Sequence, residues 1–342
     1  MNKDGKLSIV WNLTQYCCWK CSFCCVDAKI VKNPQQFNAH RDVNFFLEDE
    51  LSYSEKLKVI DQLEIGKYTI DFSGGELFLD PLNLEVILYA SDKLGAENVG
   101  ISTSGSLMTN DIIKKFSTKV SDVELSIDYI PYEFFRLRPT GYHEFAANAI
   151  EKLKEEGIHV GVQTVLTKEN IDRDILYKLF KWLEKKDLDD WSLLRFFPVG
   201  RGKNFYNLTP SFEEYCEVVD YLKSISNSTK LNFHFQYLLP NHENYTLDCR
   251  ALKKSIGILP NGIAVGCFWN FFGNRDTDED IFYLGKLPEE NIKDIFSGER
   301  ANFWKNSHHK CIFFKDDVFA EWVLQETGKE EHKVKTYENK RN

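Results

Sequence analysis

The sequence predicts an α/β fold, a parallel sheet laid down by successive βα units and followed by a smaller region of different rhythm. Three observations lead there. Short apolar runs alternate with amphipathic stretches from residue 7 to residue 197, glycines close several of those stretches, and the alternation stops after Pro198-Val-Gly-Arg-Gly202. The strand readings are residues 7–13, 68–72, 99–103, 123–127, 160–166 and 192–197, with helical readings at 54–66, 82–94, 109–116, 144–157 and 173–186. Gly66, Gly95 and Gly157 stand where a left-handed helix cap is expected. Each strand but the last is followed by a helix, so right-handed crossovers either curl the sheet into a barrel or leave it doubly wound.

Beyond residue 202 a helix is expected over residues 211–224, capped by Ser211, and then an irregular aromatic-rich region that holds Cys249, Cys267 and Cys311. From Gln325 onward Lys, Glu and Asn leave little to bury, and a disordered tail is expected. The 342 residues have room for one large domain and a smaller one. The expected division is 1–205, 206–324 and the tail 325–342. No apolar run approaches the ~18 residues of a membrane span, and the polar start lacks a signal peptide's apolar stretch, so a cytoplasmic protein without membrane contact is expected. A net charge of −9 argues against an extended nucleic-acid surface. Nine cysteines in such a chain read as metal ligands or reactive thiols, not disulfides.

The densest group is Trp11-Asn-Leu-Thr-Gln-Tyr-Cys17-Cys-Trp-Lys-Cys21-Ser-Phe-Cys24-Cys25, a strand that breaks into a cysteine loop at its C-terminal end. In βα barrels that end is where chemistry collects. Closely spaced thiolates select iron–sulfur clusters, zinc or Cu(I), and a zinc site completed by Cys25 or His40 is the simpler alternative. Cys17, Cys21 and Cys24, with Phe23 before the last, form a CxxxCxxC run that resembles the signature of the radical S-adenosylmethionine (SAM) superfamily. The resemblance implies that these three cysteines hold a [4Fe–4S] cluster with one iron left open for SAM. It also implies a partial (βα)6 TIM-like barrel with a small C-terminal α+β auxiliary iron–sulfur domain.

Later motifs follow the family in order. Asp71-Phe-Ser-Gly74-Gly75-Glu76 looks like the GGE motif that receives the methionine amino group of SAM: glycine permits close backbone approach, and a carboxylate accepts from an ammonium. Ser102-Thr103-Ser104-Gly105 and Ser126-Ile-Asp128 end the next two strands, where relatives contact the cofactor; a hydroxyl there can equally cap a helix. Arg138 stands where some relatives place an arginine on the SAM carboxylate, with Arg136 as its competitor. Gln163-Thr-Val165 and Phe197-Pro198-Val-Gly200 resemble elements around adenine, or are ordinary barrel core and a turn.

Pro260-Asn-Gly262 marks a hairpin between Cys249 and Cys267, and Leu284-Gly-Lys-Leu precedes a helical stretch at 289–296 and then Cys311. This frame is similar to SPASM and Twitch extensions, implying an auxiliary [4Fe–4S] cluster on Cys249, Cys267 and Cys311. Phe314 stands where a last paired cysteine is usual, so a fourth ligand would be His308, His309 or Asp316, or one iron stays open. A zinc site with three cysteines and a histidine, or a metal-free hairpin, are the alternatives. Cys216 reads as a buried thiol or, as in some peptide epimerases, a hydrogen donor to a substrate radical.

The function so implied is cleavage of SAM to a 5′-deoxyadenosyl radical that takes hydrogen from a small molecule or a peptide, giving oxidation, epimerisation or cross-linking. A flavodoxin- or ferredoxin-type protein would supply the electron. Because the first strand begins at residue 7, no N-terminal peptide-recognition domain is expected, and the ending Tyr-Glu-Asn-Lys-Arg-Asn lacks the Gly-Gly tail of the molybdenum-cofactor cyclases. The alternative of another class is a non-catalytic iron–sulfur sensor or electron carrier, for which Gly74-Gly75-Glu76 and Ser126 would have no use.

Overall fold

Alternation of apolar and polar residues decides which side of each strand meets the helices. In β1 (Leu7–Thr14) Ile9, Trp11 and Leu13 are fully buried in the main core, and in β4 (Tyr68–Gly74) Ile70 and Phe72 join them. The intervening Asn12, Asp71 and Ser73 face the other way, where Ser73 donates to Asn12 Oδ1 at 2.8 Å. This computed structural model describes residues 5–33, 49–236, 239, 249, 251–269 and 282–306.

The remaining strands are β2 (Tyr16–Cys17), β3 (Lys29–Ile30), β5 (Val99–Thr103), β6 (Asp122–Ser126), β7 (Val160–Leu166), β8 (Asp190–Arg195), β9 (Asn232–Phe235), β10 (Ser255–Ile258), β11 (Ile263–Val265) and β12 (Tyr283–Lys286). All but β2 and β3 form one ten-stranded sheet in the order β12-β11-β10-β1-β4-β5-β6-β7-β8-β9. From β10 to β9 every pairing is parallel; β10–β11 and β11–β12 are antiparallel. Helices α1 (Tyr53–Asp61), α2 (Pro81–Leu94), α3 (Asn110–Phe116), α4 (Tyr142–Glu155), α5 (Arg173–Lys185) and α6 (Phe212–Ser226) lie between the parallel strands. α7 (Ile292–Ser297) and α8 (Glu299–Asn306) follow β12. This is the partial TIM-like barrel, with an α+β extension at its C-terminal end.

Local chemistry starts the helices where the sequence signals them. Ser52 with Glu55, and Ser211 with Glu214, form capping boxes at α1 and α6, and Thr109 and Asp172 accept first-turn amides at α3 and α5. Three expectations need correction. The first helix ends at Asp61, where the Gln62 and Leu63 amides tighten onto Val59 O at 3.2 Å and Ile60 O at 3.0 Å, and the Gln62 side chain bonds Pro288 O at 3.2 Å and the Ile292 amide at 2.9 Å; Gly66, at φ +80°, serves the turn into β4. The sixth strand runs 190–195, not 192–197, since the Phe196 amide turns out of the sheet to donate to the Tyr215 hydroxyl at 3.1 Å. The helix expected at 289–296 starts at Ile292, capped by the Asn291 side chain.

One parallel strand, β9, and the parallel pairing of the hairpin's first strand, β10, were not read. β9 extends the sheet beyond β8, and β10 lies beside β1 with Ser8 opposite Ser255 and Trp11 opposite Ile258. The hairpin at Pro260-Asn-Gly262 is present: Gly262 adopts φ +84°, and a Cβ there would fall 2.0 Å from Leu287 O. The expected tail at 325–342, with His40, His308, His309, Cys311 and Asp316, lies outside the described residues. Among the described residues no helix is long and apolar enough to cross a membrane.

Candidate active site

The C-terminal ends of the parallel strands converge on the cysteine loop. β2 opens that loop and is tied to β3, with the Val31 amide donating to Cys17 O at 2.9 Å. Cys17, Cys21 and Phe23 are buried; Cys18, Cys24 and Cys25 are half-buried. Burial, opposed by the Arg138 guanidinium, raises the Cys21 thiol, and burial pushes Cys25 up to about 12. Cys17, hydrogen-bonded with Cys18, buried and close to Glu76, is held well above the ordinary thiol range. Thiols so placed ionise most readily when a metal takes the charge.

Glycine lets the next strand close on this loop. The Gly75 and Glu76 amides donate to Thr14 O at 2.7 Å and Tyr16 O at 2.8 Å. A Cβ on Gly75 would sit 2.0 Å from Tyr16 O, and one on Gly74 2.4 Å from Thr14 O. Glu76 is fully buried: Thr103 Oγ1 donates to its Oε1 at 2.8 Å, and the Ser104 amide (3.3 Å) and hydroxyl to Oε2. Burial raises this carboxyl, and among the described residues no Lys, Arg or His is ion-paired with it. A buried carboxylate with hydrogen bonds but no cation suits an ammonium ligand. Ser104 also meets Ser106 at 2.5 Å, and Ser106 accepts from Trp19 Nε1 at 2.7 Å, which binds the end of β5 to the cysteine loop.

Beyond β6, Ser126 lies beside Gln163 at the strand end, and Asp128 is fully buried. Both Asp128 oxygens are engaged by the protein: Oδ1 by the Val165 amide at 2.8 Å and Oδ2 by Arg138 Nε at 2.6 Å. Its carboxyl is held low despite burial, with Arg138 as the main opposing charge. Arg138 Nη1 also reaches Cys21 Sγ at 3.3 Å, whereas Arg136 turns outward to Glu169 at 2.5 Å. Of the two arginines, Arg138 alone joins the site among the described contacts.

Several contacts here escaped the sequence reading. Arg201 donates from Nε to Cys21 O at 2.9 Å and from Nη1 to Ala28 O at 2.7 Å, while its buried Nη2 has no partner in the described structure. Gly200, at φ +56°, passes so close that a Cβ would lie 2.3 Å from Cys25 O. The glycines of Gly200-Arg-Gly202 were the available signal. Glu50 accepts from Thr14 Oγ1 at 2.8 Å and the Gln15 amide at 2.7 Å, and burial pushes its carboxyl up to about 7. On the inner face of the barrel Ser102 donates to Asp71, Gln163 donates to Ser102 at 3.3 Å and to Glu124, and Ser192 donates to Glu124 at 2.8 Å.

The C-terminal cysteines are only partly described. Cys249 is buried and Cys267 half-buried, and Ala251 lies beside Gly266, so their segments run together. Trp269 stacks on Phe197 at 4.8 Å, which seats this segment against the end of β8. Cys216 is on α6, with Asp220 and Glu213 of the same helix as its charged neighbours, and is not among the residues gathered at the strand ends. Among the described residues no three His, Cys, Asp or Glu side chains converge as for a single ion. A cubane does not ask for that, since each thiolate takes its own iron.

The chain is similar to several known proteins. Residues 11–180 match the family model described as Radical SAM superfamily. A Fe-coproporphyrin III synthase of Methanosarcina barkeri (strain Fusaro / DSM 804) is 33% identical over 316 residues, covering 86% of this chain and 75% of the relative. An AdoMet-dependent heme synthase of Nitratidesulfovibrio vulgaris is 25% identical over 346 residues, covering 95% and 85%. Among solved structures, Streptococcus suis SuiB bound to S-adenosylmethionine superposes with a TM-score of 0.64 at 16% identity, over 88% of this chain and 68% of that one. Family membership carries a [4Fe–4S] cluster and SAM with it and sets aside a non-catalytic iron–sulfur protein: the chain belongs to the radical SAM superfamily and is a radical SAM enzyme.

Proposed function

We propose that the strand-end site cleaves SAM and directs the product radical at a small-molecule or peptide substrate, with oxidation, epimerisation or cross-linking as the outcome. The observation that carries this is the loop of Cys17, Cys21 and Cys24 pinned through Thr14 and Tyr16 to the turn that bears a buried, cation-free Glu76. Held by Cys17, Cys21 and Cys24, a [4Fe–4S] cluster with SAM would supply one-electron cleavage of SAM to methionine and a 5′-deoxyadenosyl radical able to take a hydrogen atom from the substrate.

The chain's own residues bind, orient and exclude water. Glu76 receives the amino group of SAM, fixed by Thr103 and Ser104. Gly74 and Gly75 allow the approach, Phe23 walls the loop beside Phe196, and Ser126 offers a hydroxyl at the end of β6. Asp128 acts through Arg138. Gln163, Glu124 and Asp71 give the inner face a polar floor. Residues 206–324 serve as the auxiliary unit, with Cys249, Cys267 and Cys311 holding a second [4Fe–4S] cluster; Cys216 remains a hydrogen-donor proposal. A flavodoxin- or ferredoxin-type protein supplies the electron, and the protein works in the cytoplasm. Relatives named for synthesis of Fe-coproporphyrin III and of heme put the small-molecule class first in substrate trials.

The test is anaerobic reconstitution with iron and sulfide, followed by SAM and dithionite. About four irons per chain indicate one cluster and about eight indicate two. Formation of 5′-deoxyadenosine supports the proposal, and a loaded protein that leaves SAM intact defeats it. Zinc in place of the second set of irons defeats the auxiliary-cluster assignment.

A further inference from the structure

We infer that Arg138 tunes the reduction potential of the centre held by Cys21, through a charge-assisted N–H···S bond that Asp128, Phe23 and Tyr142 keep in place. The inference rests on the reading that Cys17, Cys21 and Cys24 hold the cluster, and goes beyond it by giving Arg138 a role in the absence of SAM.

The geometry is over-determined. Arg138 Nη1 donates to Cys21 Sγ at 3.3 Å while Nε donates to Asp128 Oδ2 at 2.6 Å, so the planar fork spans a sulfur and a carboxylate at once. The guanidinium lies between two rings, its Cζ 4.6 Å from the centre of Phe23 and 4.3 Å from that of Tyr142. Asp128 is itself fixed by the Val165 amide at 2.8 Å, by its own amide donating to His143 Nε2 at 3.2 Å, and by Asn170 Nδ2 donating to its carbonyl at 2.7 Å. The chain carrying Arg138 is pinned to the cysteine loop, since the Ser22 amide donates to Leu137 O at 3.0 Å. The Arg138 side chain is only 12% exposed, so water screens its charge little.

A cluster gains one negative charge on reduction, and hydrogen bonds to its sulfurs and nearby charge set its potential. A cation fixed on the Cys21 sulfur therefore favours the reduced form. Asp128 keeps the cation in place and offsets part of its charge, acting on Cys21 less strongly than Arg138 does.

The test is the midpoint potential of the N-terminal cluster, read by EPR during anaerobic redox titration without SAM, in protein whose iron content and fold have been checked. In Arg138→Met the ratio of reduced to oxidised cluster at a fixed potential should fall about tenfold, a shift of about 59 mV to the negative for one electron. Arg138→Lys, which keeps the charge but loses the fork, should shift less, and serves alone if the methionine variant does not load. A midpoint unmoved in the variants, with weakened SAM binding, would overturn the inference in favour of an arginine serving only the SAM carboxylate. Equal shifts in both variants would also overturn it, since loss of packing would then explain them. Failure of the wild-type chain to load a cluster on Cys17, Cys21 and Cys24 would show in the iron content before any titration, and would sink the underlying assignment.

Discussion

Replacing Gly75 by alanine should force the Gly74-Gly75-Glu76 turn, proposed to bind SAM, away from the cysteine loop. The added Cβ would lie 2.0 Å from Tyr16 O, 2.6 Å from Tyr16 C and 3.1 Å from Tyr16 N. All three are backbone atoms, so no side-chain rotation relieves the clash, and the two segments must part by about 1 Å or more. That movement stretches the Gly75–Thr14 and Glu76–Tyr16 hydrogen bonds, now 2.7 and 2.8 Å, beyond the usual limit of about 3.2 Å. Two bonds at about 1 kcal/mol each, with about 1–3 kcal/mol for overpacking, give a loss of about 3–5 kcal/mol. Thermal unfolding of the reconstituted protein should drop by about 4–7 °C. SAM affinity, measured by equilibrium dialysis, should fall at least tenfold because Glu76 moves with the turn. Gly157→Ala is the control: its φ of +71° costs only local strain of about 1 kcal/mol, since nothing lies within 4 Å. A Gly75→Ala protein that melts and binds SAM like the wild type would refute the close-approach argument.

Three further outcomes follow from individual contacts. Glu76→Gln keeps the shape but removes the charge offered to an ammonium, and should weaken SAM binding by about 10–100-fold with little change in iron content. Asp71, pushed up to about 8 by burial and by Glu124, keeps its proton in the folded state while the unfolded chain loses it near pH 4. Its contribution therefore destabilises the fold progressively as pH rises from about 4 to 8; Asp71→Asn should flatten that slope and gain about 1–3 kcal/mol at pH 8, read from denaturant midpoints at pH 5 and 8. Ser211→Ala removes the capping box of α6 and should cost about 1 kcal/mol in the same assay, without altering SAM affinity.

What the sequence made legible was local. Ile9, Trp11 and Leu13 announce a strand through their period of two, and Thr109 and Ser211 announce helix starts through side chains that bond amides a few residues on. The cysteine spacing and Gly74-Gly75-Glu76 were equally local. β9 was missed because Asn-Phe-His-Phe is short and half polar, as an edge strand can be. β10 was read as part of a hairpin, but its pairing with β1 joins residues far apart in the chain, and no local pattern encodes that. The same holds for Gly200 against Cys25 and for Arg138 on Cys21. Asp128 was read as a cofactor contact from its place after the strand; only the fold reveals that Val165 and Arg138 occupy both of its oxygens.

The central claim is that Cys17, Cys21 and Cys24 hold the cluster that drives SAM cleavage at these strand ends. It is tested most directly by 5′-deoxyadenosine formation in wild-type and Cys21→Ala proteins, each reconstituted anaerobically and given SAM and dithionite. Product is expected from the wild type and none above background from Cys21→Ala, whose C-terminal site should still take up iron. Equal product from both proteins, or none from a fully loaded wild type, would contradict it.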